Sequence, residues 1–139
     1  MAKIKQVLVV NMDAKMPIGQ IGAMCAHAAV KVWFDRMFPH FDQKLGCGYM
    51  MNAESGLTGE MTSWKENSFV KVVLAGDNAV ELLKLTKQAN KVGIPFSIIE
   101  DQIRGEKAIT CIAIGPGNGD DIDKITGHLS TNLEEWKNE

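Results

Sequence analysis

Cysteine is scarce in this sequence. The three present, Cys25, Cys47 and Cys111, are odd in number and widely spaced, which excludes a disulfide framework and points to a reduced, cytoplasmic protein. Long apolar runs are missing as well: the one near the start, Val7–Val10, is far too short for a signal-peptide core or a membrane span. Neither sign of charge dominates. Fifteen Lys and Arg against seventeen Asp and Glu leave a formal charge of −2, so no global basic field announces DNA or another nucleic acid as a partner. The charge is uneven, however. Residues 1–44 carry six bases and three acids, whereas residues 120–139 carry two bases and six acids, so a polyanion would be met by the N-terminal third. Several catalytic signatures are absent too. No Cys-x-x-Cys or His-Glu-x-x-His offers a metal site, and no Gly-x-Ser-x-Gly elbow supports serine hydrolase chemistry.

What is present fits one domain over residues 1–139, with 45% apolar and 23% charged residues. Gln6–Val10 is a nearly unbroken β-branched run, the pattern of a strand buried on both faces. Pro17 suits the first position of a helix, because its missing N–H would have no partner there. Ile18, Ile21, Cys25, Ala28 and Val32 then mark one face of a helix reaching about Phe38, and Gly22, Ala23 and Ala26 would let it lie close to a sheet. Residues 39–66 lack clear periodicity, with an irregular insert at about 39–63 that holds Cys47, Tyr49, Met50 and Met51. A strand resumes at Val70–Leu74. Asn78 and Glu81 have cap spacing for a helix that runs to Val92, with Gly93 beyond its end. Two more strands, Phe96–Ile99 and Ile109–Ile114, and a short helix from Asp120 to about Leu129 complete an α/β order.

The glycines in Gly115-Pro-Gly-Asn-Gly119 sit where a phosphate cradle would, but Asp120, Asp121 and Asp123 would oppose a phosphate, so a tight strand-to-helix turn is expected. Cys25 and His27 lie two apart, about 200° around a helix, and point to opposite faces. Gln20, His27 and Lys31 form a polar stripe opposite the apolar one; His27 is either a helix histidine bonded to a neighbouring loop or part of a site. Asp101 and Arg104 follow the third strand, and Asp13 and Lys15 follow the first. If those strands are parallel, all four lie at one edge, where α/β sheets collect their sites. Asp101 taken alone reads equally well as a turn carboxylate.

These residues also carry a family resemblance. Asp13-Ala-Lys-Met16 with Gly19-Gln-Ile-Gly-Ala-Met-Cys-Ala-His-Ala-Ala29, Val92-Gly-Ile-Pro95 leading into Ile98-Ile-Glu-Asp101, and Thr110-Cys-Ile-Ala-Ile-Gly-Pro116 with Ile122-Asp-Lys-Ile-Thr-Gly-His-Leu129 resemble the signatures of the type 2 peptidyl-tRNA hydrolases. The resemblance implies a three-layer α/β/α sandwich on a small mixed, mostly parallel four-stranded sheet. It also implies a homodimer with no metal or cofactor and no membrane partner. The implied reaction is hydrolysis, by an activated water, of the ester joining a peptidyl or N-blocked aminoacyl group to the tRNA acceptor end. By resemblance His27 and Asp101 are the catalytic pair, and Lys15, Gln20, Lys31, Arg104 and Lys107 meet the tRNA.

The departures are specific. Ile18 and Gln20 stand where the family has two lysines, Met24 replaces a glutamine, and Gln102-Ile-Arg-Gly-Glu-Lys107 is a shortened loop without the family's threonine. These changes remove positive potential from a site that meets phosphates. They keep open two alternatives: a non-catalytic relative that binds another ligand or protein through the cleft and insert, and a hydrolase of some other small ester or amide. The insert reads as a lid, with Met50 and Met51 as adaptable contacts, as a dimer surface or as a disordered loop.

Overall fold

Val7, Leu8, Val9 and Val10 are all buried, so the first strand has no face turned to water and needs a layer on each side. The computed structural model, which describes residues 3–44, 46–51 and 58–132, supplies both. The central sheet has four strands: β1 (Ile4–Asn11), β4 (Val70–Gly76), β5 (Phe96–Ile103) and β6 (Glu106–Asn118), in the order β4–β1–β6–β5. β1 is parallel to β4, and β6 is antiparallel to both β1 and β5. Three strands therefore share a direction and end at one edge, although only β1 and β4 are parallel neighbours. The register of β5 on β6 slips between Ile99 and Glu100, which leaves Thr110 as the extra residue of a bulge.

One helix covers one face of this sheet and two cover the other. On the first side, α1 (Ile18–Phe34) buries Ile21, Met24, Cys25, Ala28 and Val32 against Leu8, Val10, Ile99, Ile103, Cys111 and Ala113. On the second, α3 (Ala79–Lys91) and α4 (Gly119–Thr126) bury Leu82, Leu85, Ala89, Ile122 and Ile125 against Val7, Val9, Leu74, Ile112 and Ile114. This is the expected α/β/α arrangement. Two buried polar side chains bind α1 to the sheet: the Ser97 hydroxyl donates to Ala28 O at 2.7 Å, and Gln6 Nε2 donates to Ala29 O and Gly115 O at 3.3 Å each.

Several local expectations need correction. Ile18 is 73% exposed: it matches the buried face by angle, but the sheet does not reach the first helical turn. Gly22, Ala23 and Ala26 are exposed too, and the close approach to the sheet is made by Cys25 and Ala28 instead. Pro17 precedes α1 rather than opening it, and α1 stops at Phe34. The stretch read as irregular contains an antiparallel hairpin of β2 (Met37–Asp42) and β3 (Gly46–Met51), then a short α2 (Gly59–Ser63) and a π-helical turn over Trp64–Ser68. Met61 and Trp64 from its far end are buried, and Met61 belongs to the α1-side core. The expected contacts of Met50 and Met51 lie outside the described side chains, as do residues 52–57. No helix among the described residues is long and apolar enough to cross a membrane.

The cap expected at Asn78 is present. Asn78 Oδ1 accepts from Glu81 N at 2.9 Å, while Glu81 reaches back to Asp77 N rather than to Asn78. The tight turn expected over Gly115–Gly119 is absent: β6 runs on through Asn118, which pairs with Ile4 of β1, and Asn118 Oδ1 accepts from Asp120 N and Asp121 N at 2.9 and 3.2 Å to cap α4 directly. Gly115 within β6, where the pairing with β1 shifts register, has φ +100°, and a Cβ there would stand 2.6 Å from Lys5 O. We expect Gly115→Ala to cost on the order of 2–4 kcal/mol, read as a lower urea midpoint. Gly22→Ala, on an exposed helix face with open space around it, should instead add about 0.5–1 kcal/mol.

Candidate active site

The carboxyl ends of β1 and β5 lie at one edge, and two loops meet there. At the end of β1 the buried Asn11 turns its carboxamide to both sides: Nδ2 donates to Ile109 O at 2.8 Å and Oδ1 accepts from Asp13 N at 3.0 Å. The chain then makes a single 3-10 turn, Met12–Ala14, and Lys15 closes it in the left-handed conformation at φ 51°, ψ 51°. At the other loop Arg104 and Gly105, with φ of 50° and 83°, join β5 to β6. The Arg104 guanidinium donates to Ala14 O at 2.9 Å and to Lys15 O at 3.3 Å, which ties the two loops together. A cavity of about 680 Å³ between them is lined by Asn11, Asp13, Glu100, Arg104, Glu106 and Lys107, among others.

A second hollow lies on the α1 side. Side chains alternate along a strand, and Ser97, Ile99 and Ile103 of β5 all meet α1 or its core. Asp101 therefore faces the same way, half-buried, with Oδ1 accepting from Gln102 N at 2.7 Å. His27 is exposed on α1 and shares a hollow of about 380 Å³ with Ala26, Val30, Lys31, Phe34 and Ile99. Ile99 is one pleat from Asp101, about 6–7 Å along the strand. Gln20, His27 and Lys31 form the single stripe that their spacing implied, with Gln20 about two turns nearer the start of α1.

Of the predicted residues, Arg104 and Lys107 line the loop-edge cavity, with Lys15 tied to Arg104 through its carbonyl, and His27 and Lys31 line the α1-side hollow, with Asp101 one pleat beyond its Ile99; Gln20 lines neither. The cations are engaged. Lys31 Nζ bridges both carboxylate oxygens of Asp35 at 2.7 and 2.9 Å, Lys107 Nζ lies 3.8 Å from Glu100 Oε2, and the Arg104 fork is on backbone carbonyls. Cys25 and His27 do lie on opposite faces. Cys25 is buried and hydrogen-bonded to Cys111, and that bond, together with burial, pushes the Cys111 thiol up, holding it protonated. Among the described residues no cluster of His, Cys, Asp or Glu could hold a metal ion.

Two features escaped the sequence reading. Asn11 is one, and its signal was a polar residue ending an otherwise apolar strand. The other is an apolar groove of about 550 Å³ that continues from the His27 hollow through Val30 and Phe34 to Trp33, Trp64 and Phe69. Lys71 Nζ sits 3.4 Å over the Phe69 ring and 4.9 Å from the Trp64 ring, and desolvation there lowers its pKa.

A family model described as peptidyl-tRNA hydrolase PTH2 matches residues 4–132. Relatives named peptidyl-tRNA hydrolase include one from Thermococcus sibiricus, 34% identical over 93% of this chain and 98% of that protein. Another, from Metallosphaera sedula, is 33% identical over 91% of this chain and 97% of that protein.

Asn11 joins the β1–α1 loop to β6. Asn11→Ala strips a buried donor and acceptor from Ile109 and Asp13, and we expect it to lower stability by about 1–3 kcal/mol in urea denaturation. A midpoint equal to that of the unmodified protein would mean that the carboxamide bonds do not hold the site edge.

Proposed function

Because the chain belongs to the peptidyl-tRNA hydrolase PTH2 family, we propose that it hydrolyses the ester between a peptidyl or N-blocked aminoacyl group and the 3′ end of tRNA. The observation that carries this reading is the placement of Asp101 on the α1-facing side of β5, one pleat from the hollow that holds His27. A carboxylate and an imidazole on one apolar-walled surface are the groups that ester hydrolysis needs.

In this mechanism a water positioned between them attacks the ester carbonyl, and Asp101 or neutral His27 accepts its proton. The Gln102 N–H fixes one oxygen of the Asp101 carboxylate and leaves lone pairs on the other to take that proton. The tetrahedral oxyanion is steadied by nearby cationic and N–H groups, with Lys15 the candidate cation. Collapse then expels the ribose oxygen, which takes back the proton held by the base. Lys15, Gln20, Lys31, Arg104 and Lys107 serve the acceptor end in this reading, and the working form is a cytoplasmic homodimer. Exposed Phe34, Phe41, Tyr49 and Phe69 offer apolar surface for a second copy.

A second reading keeps the fold without turnover. It is favoured by the exposed Ile18 and by the pairing of Lys31 with Asp35, which leave little positive charge for phosphates.

The deciding assay is cleavage of N-acetyl-aminoacyl-tRNA. Asp101→Ala should lower kcat by about a hundredfold or more and His27→Ala by at least roughly tenfold, with melting temperatures within a few degrees of the unmodified protein. KM should rise with salt. Full activity in Asp101→Ala would remove Asp101 from the mechanism. No cleavage by the folded, unmodified protein would favour the non-catalytic reading.

A further inference from the structure

We propose that Arg104 is a positioning residue for Lys15. Its guanidinium, spread over two consecutive carbonyls, holds Lys15 in the left-handed conformation and so sets where the Lys15 ammonium meets the substrate. The proposal rests on the hydrolase reading and changes the role of Arg104 within it, from a tRNA contact to a residue that acts through its neighbour.

Lys15 is exposed and left-handed, while Ala14 and Met16 on either side of it are buried in the α1-side core. A lysine has no short polar side chain to ease that conformation, as asparagine or aspartate would. Its own N–H returns to Met12 O at 3.2 Å, which closes the 3-10 turn but leaves the carbonyl side to be held. Pro17 O accepts from Ile21 N at 3.0 Å to begin the α1 ladder, so the carbonyls of Ala14 and Lys15 lie before the helix. Those two carbonyls are the ones that Arg104 takes.

Arg104 is itself unusual. It occupies the first position of a two-residue hairpin turn with both residues at positive φ, a place that favours Asn, Asp or Gly. The arginine brings no turn chemistry to offset that strain. What it does bring is a planar fork long enough to cross to the β1–α1 loop, some 90 residues away in sequence. Among the described residues, Lys15, Phe69 and Arg104 are the non-glycine residues at positive φ; one hydrogen bond joins Arg104 to Lys15 directly, and a second joins Arg104 to the preceding Ala14 carbonyl. Backbone strain of this kind persists only where surrounding contacts hold it, and it gathers at functional sites.

Arg104→Lys is the informative substitution, because it keeps the charge and loses the fork. A phosphate contact and a clamp then give opposite results. If Arg104 met a phosphate, Arg104→Lys would stay near the original activity, and Arg104→Ala would flatten the dependence of log KM on log salt by roughly one contact. The clamp predicts that both substitutions lower kcat alike, by roughly tenfold to a hundredfold, because either one releases Lys15. In a Lys15→Ala background neither should lower kcat further, and losses that multiply there would overturn the proposal.

A readout without turnover separates this proposal from the hydrolase reading. In Arg104→Lys without tRNA, the Lys15 HN–Hα coupling and Cα shift should leave their left-handed values. If the unmodified protein does not cleave the ester, the hydrolase reading is lost and the clamp is judged on these resonances; unmoved resonances overturn it. Should Arg104→Lys melt early, adding Lys15→Gly should restore the melt, since glycine takes the left-handed conformation without help. Failure to restore it counts against the clamp.

Discussion

A strand whose consecutive side chains are all buried cannot lie on a surface, and β1 is such a strand from Gln6 to Asn11. Its backbone is paired on one edge by β4 and on the other by β6, and its side chains alternate into two separate cores. The rest of the fold answers this demand. One helix is needed above and at least one below, the partner strands must be long enough to cover it, and the chain can leave only at the ends of the sheet. Polar groups that must be held still therefore collect at the carboxyl edge, where β1 and β5 end.

The bulge at Thr110 turns that edge into a crevice. Up to Cys111, β6 is paired with β1; beyond it, β6 continues toward Glu106 with β5 as its remaining partner. The Asn11 carboxamide spans the point of separation by bonding Ile109 O, and Arg104 spans the opening from the hairpin tip to the β1–α1 loop. The crevice is thus bounded by backbone on three sides and stitched by two side chains. Its width is set by those stitches rather than by the ladder.

Much of this organisation could be read from residue order alone, where the signal was local. The apolar run of β1, the cap at Asn78 and the Gly93 stop all depend on neighbours within a few residues. So does the angular separation of Cys25 from His27. The readings that failed depended on distant partners. Ile18 has the right angle but no strand beneath it, and Gly22, Ala23 and Ala26 are small but on the wrong side. Met37–Asp42 lacks clean alternation, carries Pro39, and becomes a strand only because Gly46–Met51 pairs with it. The same limit applies at the site. The stripe of Gln20, His27 and Lys31 followed from spacing, but Asp101, expected past the end of its strand, lies inside β5, where alternation turns it to the α1 face. Nothing local announced that the Arg104 fork turns inward, whereas the pairing of Lys31 with Asp35 has the i,i+4 spacing of a local helix pair.

That inward turn bears on how a chain with few site cations could handle a polyanion. Exposed pairs such as Lys31–Asp35 contribute little, and their charges largely cancel at the distance of a phosphate. In the proposed hydrolase reading, with Ile18 and Gln20 uncharged, Lys15 would carry more of the task than it would in a site crowded with cations. One cation must be aimed where several could be averaged over thermal motion. Aiming a flexible lysine begins with its backbone, because four rotatable bonds multiply any error at the Cα. A left-handed Lys15, set between two buried neighbours and held through its carbonyl, fixes the first and most consequential of those directions. The strain at Lys15 and Arg104 is accordingly concentrated at one contact, where two loops anchored in the α1-side core oppose each other and leave the crevice between them open.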